Sequence, residues 1–590
     1  MKLLPLKVGM VAIGALLATA CKQGNPQLNA DKLHDLSARY YDESMALNPI
    51  QATFYGENQH NGELAIDIAD SWRTKTDTIY RRYEENLKEI DPSQLSPNDR
   101  ITYDMLQREL AINREGFTFH DNLMPVQQFT CLPITLAQLG SGSSAQPFKN
   151  LKDYQNFMQR MQLFAVWTDT AIANMRKGFS MGYVLPKALV LKTIPQLTDL
   201  AKKDSNNIYY APLKSIPDSI GAADKTKLVA DYTKAIEEYV LPSYSKLEQF
   251  MQNEYLPKAR TSSGIDSLPD GKAYYNYLIK YWTTTNKTPD EIFALGEKEV
   301  ARIRGEMEAI KTSTGFKGDL PAFFEFVRTD KQFHIFSTPG AILDSFKAIE
   351  NKIMPGVKQM YGHLPKTKFE IRQTEAFRAA SASAEYQPGA PDGSRPGIFY
   401  VPILDAKKFS YIGMECLFLH EAIPGHHFQM SLQMENDSLP KFRRFAWIGA
   451  YGEGYALYCE SLGKELGLYT NPYMYVGRLS DEIHRAIRLV VDAGMHAKGW
   501  TREQAIKYMM DNEPVSEAEV TAEIERYMAI PGQALSYKIG ELKIRELRNK
   551  YTKELGDKFK LSSFHDELLK DGCVPLSVLE DKMARWAKVQ

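Results

Sequence analysis

HEAIPGHHFQ, residues His420 to Gln429, is the stretch on which the reading of this chain turns. An HExxH helix offers two imidazoles one turn apart to a single zinc ion, with the Glu beside the first His as general base. Here Pro424 and Gly425 stand where the second His belongs. On a regular helix His420 and His426, six apart, point to different faces. His420 and His427 share a face but lie roughly 10 Å apart along the axis, so neither pair can hold one ion on an unbroken helix. Without Pro424 and Gly425 the string is His420-Glu421-Ala422-Ile423-His426, which is HExxH. Proline cannot continue the hydrogen-bond ladder and glycine tolerates unusual dihedrals. The pair therefore predicts a local bulge in one helix that returns His426 beneath His420. His427 would then face the surroundings of the metal or the substrate; which of His426 and His427 is the second ligand stays open.

A hydrolytic zinc site needs three protein ligands, an open position and a carboxylate to take a proton from water. Glu421 is placed for the last role. The third ligand is expected on the next helix, AWIGAYGEGYALYCESLGKELGLY, where Glu453 and Glu460 share a face seven residues apart. Glu453 lies between Gly452 and Gly454, which allow a neighbouring helix to come close, and is the first choice. Glu460 is its alternative or the residue that orients a ligand.

Further along, DEIHRAIRLVVDAGMHAKGW puts Arg485, Arg488, Asp492 and His496 on one stripe of a helix whose other faces are apolar. Such a stripe is expected to line a cavity, with the Asp492–His496 pair supporting the metal. In EIERYMAIPGQALSYKIGELKIRELR, Arg526, Tyr527 and Tyr537 are candidates to stabilise an oxyanion, Tyr537 first. Thr501 and Gln504 form a capping box.

Around this site, LHDLSARYYDESMAL and YRRYEENLKEI carry helical apolar spacing typical of the whole chain after Asp31. The clearest strand signal is Pro396 to Pro402, whose edge could pair with an extended peptide. A polar, Gly/Pro-bearing joint at residues 258–275 divides an N-terminal helical lobe, 31–270, from a C-terminal lobe, 271–590, that holds every motif above. With 72 Lys and Arg against 73 Asp and Glu among 590 residues, no polyanionic partner is indicated and nucleic-acid binding is not expected. MKLLPLKVGMVAIGALLATAC has two lysines, a short apolar run and small residues before Cys21, the pattern of an export signal over residues 1–20. Its end resembles the bacterial lipobox, which implies lipidation at Cys21, a tether over 21–30 and anchoring in the cell envelope, at the outer membrane if the cell is Gram-negative. Four scattered cysteines besides Cys21 define no disulfide framework.

HEAIPGHHFQ, GEGYALYCESLGKELGLY, RAIRLVVDAGMHAKGWTREQAIKYM, PGQALSYKIG, LPDGKAYYNYLIKYWTTTNKTPDEI and PGIFYVP together resemble the bacterial family named domain of unknown function 885. The arrangement is more distantly similar to helical zinc peptidases: Taq-type carboxypeptidases, thimet-type oligopeptidases and angiotensin-converting enzyme. That resemblance implies a mainly α, two-lobed body with a deep cleft and a small β element near residues 396–402. It also implies one Zn2+ held by His420, His426 and Glu453: those families often have Gly before the second His, as Gly425 is here. Their ligand Glu follows that His by roughly 25 residues, against 453 − 426 = 27 here. The expected activity is hydrolysis of short peptides in the envelope by a dipeptidase, carboxypeptidase or oligopeptidase. The rivals are a non-catalytic lipoprotein that binds peptides or partners around a structural metal, and a zinc hydrolase of non-peptide amides or esters.

Overall fold

The computed structural model describes residues 26–375, 383–389 and 395–590. The expected export signal and Cys21 lie outside the described residues. The tether expected up to residue 30 is already helical from Pro26, since the first helix is Pro26–Leu47. Proline in a first turn loses no hydrogen bond, and Leu33, Leu36, Tyr40 and Tyr41 bury one face of the helix.

The protein is mainly α, from this helix to Leu576–Ala587. Both segments with helical spacing quoted above fall in helices, Pro26–Leu47 and Asp70–Lys88. Among the described residues one small sheet interrupts the helices. It comprises β1 (Phe369–Gln373), β2 (Glu385–Gln387) and β3 (Gly397–Val401), in the order β1-β3-β2. β3 runs parallel to β1, Phe369 opposite Gly397, and antiparallel to β2, Glu385 opposite Tyr400. The strand read from residues 396–402 is thus the buried centre of the sheet. Both its edges are taken, which overturns the expectation that it pairs with an extended peptide.

The largest core joins Leu36, Tyr83 and Leu106 from the N-terminal helices to Phe418, Leu419, Tyr455 and Leu579. Residues from both sides of the 258–275 joint therefore share it. A second core gathers Tyr154, Phe157, Trp167, Tyr232 and Tyr244. The third surrounds helix Pro472–Ala497, where Ile483, Ile487 and Val490 meet Ile303 and Met307 of Pro289–Ser313 and Ile524 of Glu517–Ala529.

A buried ion network fixes three of these helices to one another. Lys538, on Ser536–Leu555, lies 2.7 Å from Glu482, 2.9 Å from Glu541 and 3.3 Å from Glu299. Arg302 and Arg478 also reach Glu482. Buried charges are tolerated only when compensated in this way, and the residue next to Lys538 is Tyr537.

Candidate metal centre

Helix Met414–Glu421 ends with His420 and Glu421, and a second helix, His426–Glu435, begins at His426. The sequence predicts a bulge within one helix; the structure has two helices joined by Ala422–Gly425, with a cis peptide at Ile423-Pro424. Gly425 folds back on the turn it follows: a Cβ there would stand 1.9 Å from the His420 carbonyl oxygen and 2.3 Å from that of Leu419. Only glycine allows that approach, and the approach brings His426 to His420. The two rings are perpendicular, with centroids 4.8 Å apart.

Glu453 and Glu460, on helix Gly449–Ser461, take opposite nitrogens of the same imidazole. Glu453 Oε2 is 3.6 Å from His420 Nε2 and 3.5 Å from His426 Nε2. Glu460 Oε1 accepts a 2.7 Å hydrogen bond from His420 Nδ1. A carboxylate can only accept, so this bond holds a proton on Nδ1 and aims Nε2 at Glu453. The seven-residue spacing has its purpose there: two helical turns bracket one ring. Glu453 comes this close because its helix lies backbone to backbone against Ser536–Leu555, where a Cβ on Gly454 would be 2.5 Å from Gly540 Cα.

Burial pushes Glu453 up, but His420 and His426 outweigh it and hold the carboxyl well below its ordinary range. Burial disfavours the His420 cation, yet Glu453 and Glu460 overcome it and raise that imidazole well above its usual value. Glu421 is 9% exposed and raised, first by burial and also by Glu453, while His420, His426 and the Tyr386 backbone N–H act against the rise. His420, Glu421 and His426 each offer a ligand atom within 4.8 Å of the others.

These residues fit a divalent cation. Ligand atoms about 2.0–2.1 Å from a tetrahedral zinc lie about 3.3–3.5 Å from one another, close to the distances Glu453 keeps from both imidazoles. Three buried or nearly buried carboxylates around two imidazoles also leave negative charge that a cation would balance. Glu421 is then the carboxylate beside the cluster.

The cluster opens on a cavity of about 400 Å3, lined also by Arg485, Arg488, Arg526 and Tyr537. Arg485 donates through Nη1 to Asp481 at 2.7 Å. Arg488 donates from Nε to the Tyr527 hydroxyl at 2.8 Å and from Nη2 to Glu523 at 3.0 Å, and stacks 4.6 Å from the Tyr537 ring centre. Arg526 pairs with Glu523 at 3.3 Å. Burial, joined by Glu523 and opposed by Arg488, raises the Tyr527 phenol well above its ordinary value; it is fully buried behind Arg488 and does not line the cavity as an oxyanion donor would.

Three other sequence-derived residues are not at the cluster. His427 points to the sheet, where it hydrogen-bonds the Tyr386 hydroxyl at 2.9 Å and stacks 4.7 Å from Phe369, and burial lowers it to about 4. Asp492 and His496 do not form a pair that supports the metal. Asp492 accepts from Tyr275 at 2.6 Å and from the Gly532 N–H, and burial lifts it to about 7. His496 accepts from the Ile265 N–H and donates to the Tyr527 carbonyl, and burial lowers it to about 3. Both are fully buried, against Tyr275 and Ile265 of the largest core, because the stripe that starts at the cavity runs inward along its helix.

Sequence reasoning missed Trp447, Tyr386, Glu385 and Met430, all lining the cavity. Trp447 packs 5.8 Å from the His426 ring. Its signal was its rarity, one of 6 tryptophans, just before the Glu453 helix. Trp447 also lines a second cavity, of about 500 Å3, walled by Tyr40, Tyr41, Tyr55 and Phe445.

Fold and site together define a mainly helical protein with a buried His2Glu cluster suited to a metal. The chain belongs to the family described as bacterial protein of unknown function DUF885, whose profile matches residues 49–583. It is similar to the crystal structure of a protein described as a "putative lipoprotein" from Colwellia psychrerythraea, at 27% identity and TM-score 0.85, covering 96% of this chain and 99% of that one. A "putative lipoprotein of unknown function" from Shewanella oneidensis has the same fold at 21% identity and TM-score 0.74, covering 94% and 99%. No curated protein matches the chain.

Proposed function

We propose that this protein is a zinc-dependent peptidase that hydrolyses short peptides in the bacterial cell envelope, anchored there as a lipoprotein through Cys21. The observation that carries the reading is the triangle of His420 Nε2, His426 Nε2 and Glu453 Oε2 with Glu421 beside it. A purely structural metal site has no use for that neighbouring carboxylate. The lipobox-like leader, and the likeness to proteins described as lipoproteins, support the location.

When bound, zinc would acidify a water and polarise the scissile carbonyl. Glu421 takes the water's proton and returns it to the leaving amine; its raised, buried carboxyl is suited to holding a proton between those steps. Glu460 keeps the His420 ring in one tautomer and orientation. Tyr537, on the cavity wall, donates to the oxygen on which charge develops. The cavity volume suits a short peptide segment, within the common range of about 300–1,000 Å3 for small-ligand sites.

Metal analysis and cleavage of a peptide library by wild type and Glu421→Gln test the reading. One zinc per chain is expected in both proteins, with turnover reduced roughly 100- to 10,000-fold in the variant. Stoichiometric zinc in a wild-type protein that cleaves no peptide would sink it.

A further inference from the structure

The cavity has a second wall whose chemistry the hydrolytic step does not use. Three guanidinium groups, those of Arg485, Arg488 and Arg526, line it. They are hydrogen-bonded to two carboxylates, Asp481 and Glu523, so this wall sets three positive charges against two negative ones, while Glu385 lines the cavity from strand β2. The hydrogen bonds of Arg485 run through Nη1 to Asp481, so its Nη2 donates to nothing among the described residues. Arg488 Nη1 is buried and also has no hydrogen-bond partner among them, and its guanidinium lies against the Tyr537 ring. Unsatisfied donors on buried charged groups are costly, and planar guanidinium pairs fit a carboxylate. Removing water from such a wall suits one monoanionic group.

We propose that this arginine wall holds the C-terminal carboxylate of the substrate, with Arg485 and Arg488 as the donors, so that the site removes a short piece from the free C-terminus. This deepens, and rests on, the peptidase reading. The carboxylate is terminal rather than a side chain's because one cavity of about 400 Å3 contains both the cluster and the wall. Such a volume is about 9 Å across if equidimensional, the reach of two to three extended residues at about 3.3–3.6 Å each. A terminal carboxylate is also the one anion that every short peptide carries, whereas a side-chain carboxylate would confine the site to acidic residues.

Calorimetric binding to the zinc-loaded Glu421→Gln protein tests this without turnover, using N-acetyl-alanyl-alanine, its C-terminal amide, and N-acetyl-aspartyl-alanine amide. The free acid should bind at least 30-fold more tightly than its amide, and the aspartyl amide should gain nothing over the alanyl amide. Adding Arg485→Met, a residue whose hydrogen bonds among the described residues go to Asp481 on its own helix, should bring the acid preference below about fivefold. Adding Arg488→Lys instead should reduce it less, and provides a second readout should Arg485→Met lower the melting temperature. Equal binding of acid and amide, a preference unchanged in both arginine variants, or an aspartyl amide that binds as well as the free acid would overturn the proposal. If wild type cleaves no peptide while the arginine-dependent acid preference persists, the carboxylate assignment stands and the peptidase reading falls.

Discussion

At the scale of single residues, the site separates two adjacent histidines. His426 turns its Nε2 to Glu453, whereas His427 is buried between Phe369 and the Tyr386 hydroxyl. His420→Ala and His426→Ala are therefore expected to abolish stoichiometric zinc in metal analysis. His427→Ala should keep the metal and lose about 1–3 kcal/mol of stability in denaturant melts, the usual cost of truncating a packed, hydrogen-bonded side chain. The sequence left this choice open, because the Pro-Gly insertion breaks the helical phase that would have assigned it. Glu453 and Glu460 were readable as a pair, since two turns of one helix preserve their phase. Their assignment to opposite nitrogens of His420 depended on where a helix thirty residues away in the chain packs.

At the scale of elements, the link between Glu421 and His426 is what brings the two imidazoles together. Gly425→Ala places a methyl group against the carbonyls of His420 and Leu419, so the two helices must separate. A stability loss of about 2–4 kcal/mol is expected, together with at least tenfold weaker zinc binding in a chelator competition, because strain at a backbone crossing cannot relax by rotamer change. Gly305→Ala is the control: it is exposed on helix Pro289–Ser313 with nothing within 4 Å of the added carbon, and should gain about 0.5–1 kcal/mol from helix propensity. The capping box at Thr501 and Gln504 formed as the sequence indicates, since all its atoms lie within one turn. The sheet was only partly legible. β3 carries a clear strand signal, whereas β2 is three residues long and acquires its conformation by pairing with β3.

Across the whole molecule, buried neutral histidines tie distant segments together. His565 donates from Nδ1 to the Met360 carbonyl and accepts from the Tyr458 hydroxyl, and burial lowers it to about 3, as it does His496. A folded value below the ordinary 6.5 means that the unfolded chain takes up the proton first. The stability each histidine contributes is therefore present above about pH 6.5 and is lost as pH falls toward 3, by about 2 kcal/mol at pH 5. Asp492, raised to about 7, runs the other way and loses its contribution as pH rises from its ordinary value through 7. The measurement is thus the difference between wild type and His565→Gln in denaturant melts: the gap seen at pH 7.5 should narrow by about 2 kcal/mol at pH 5. By itself the sequence determined the mainly helical body, the interrupted HExxH pattern in HEAIPGHHFQ and the paired glutamates, because apolar period, caps and motif spacing all lie within one or two turns of a single element. Only the tertiary structure decided that His426 rather than His427 joins His420, that Asp492 and His496 belong to the core, and that Arg485, Arg488 and Arg526 face the cluster. Those outcomes depend on how helices far apart in sequence pack against one another, which local periodicity does not record.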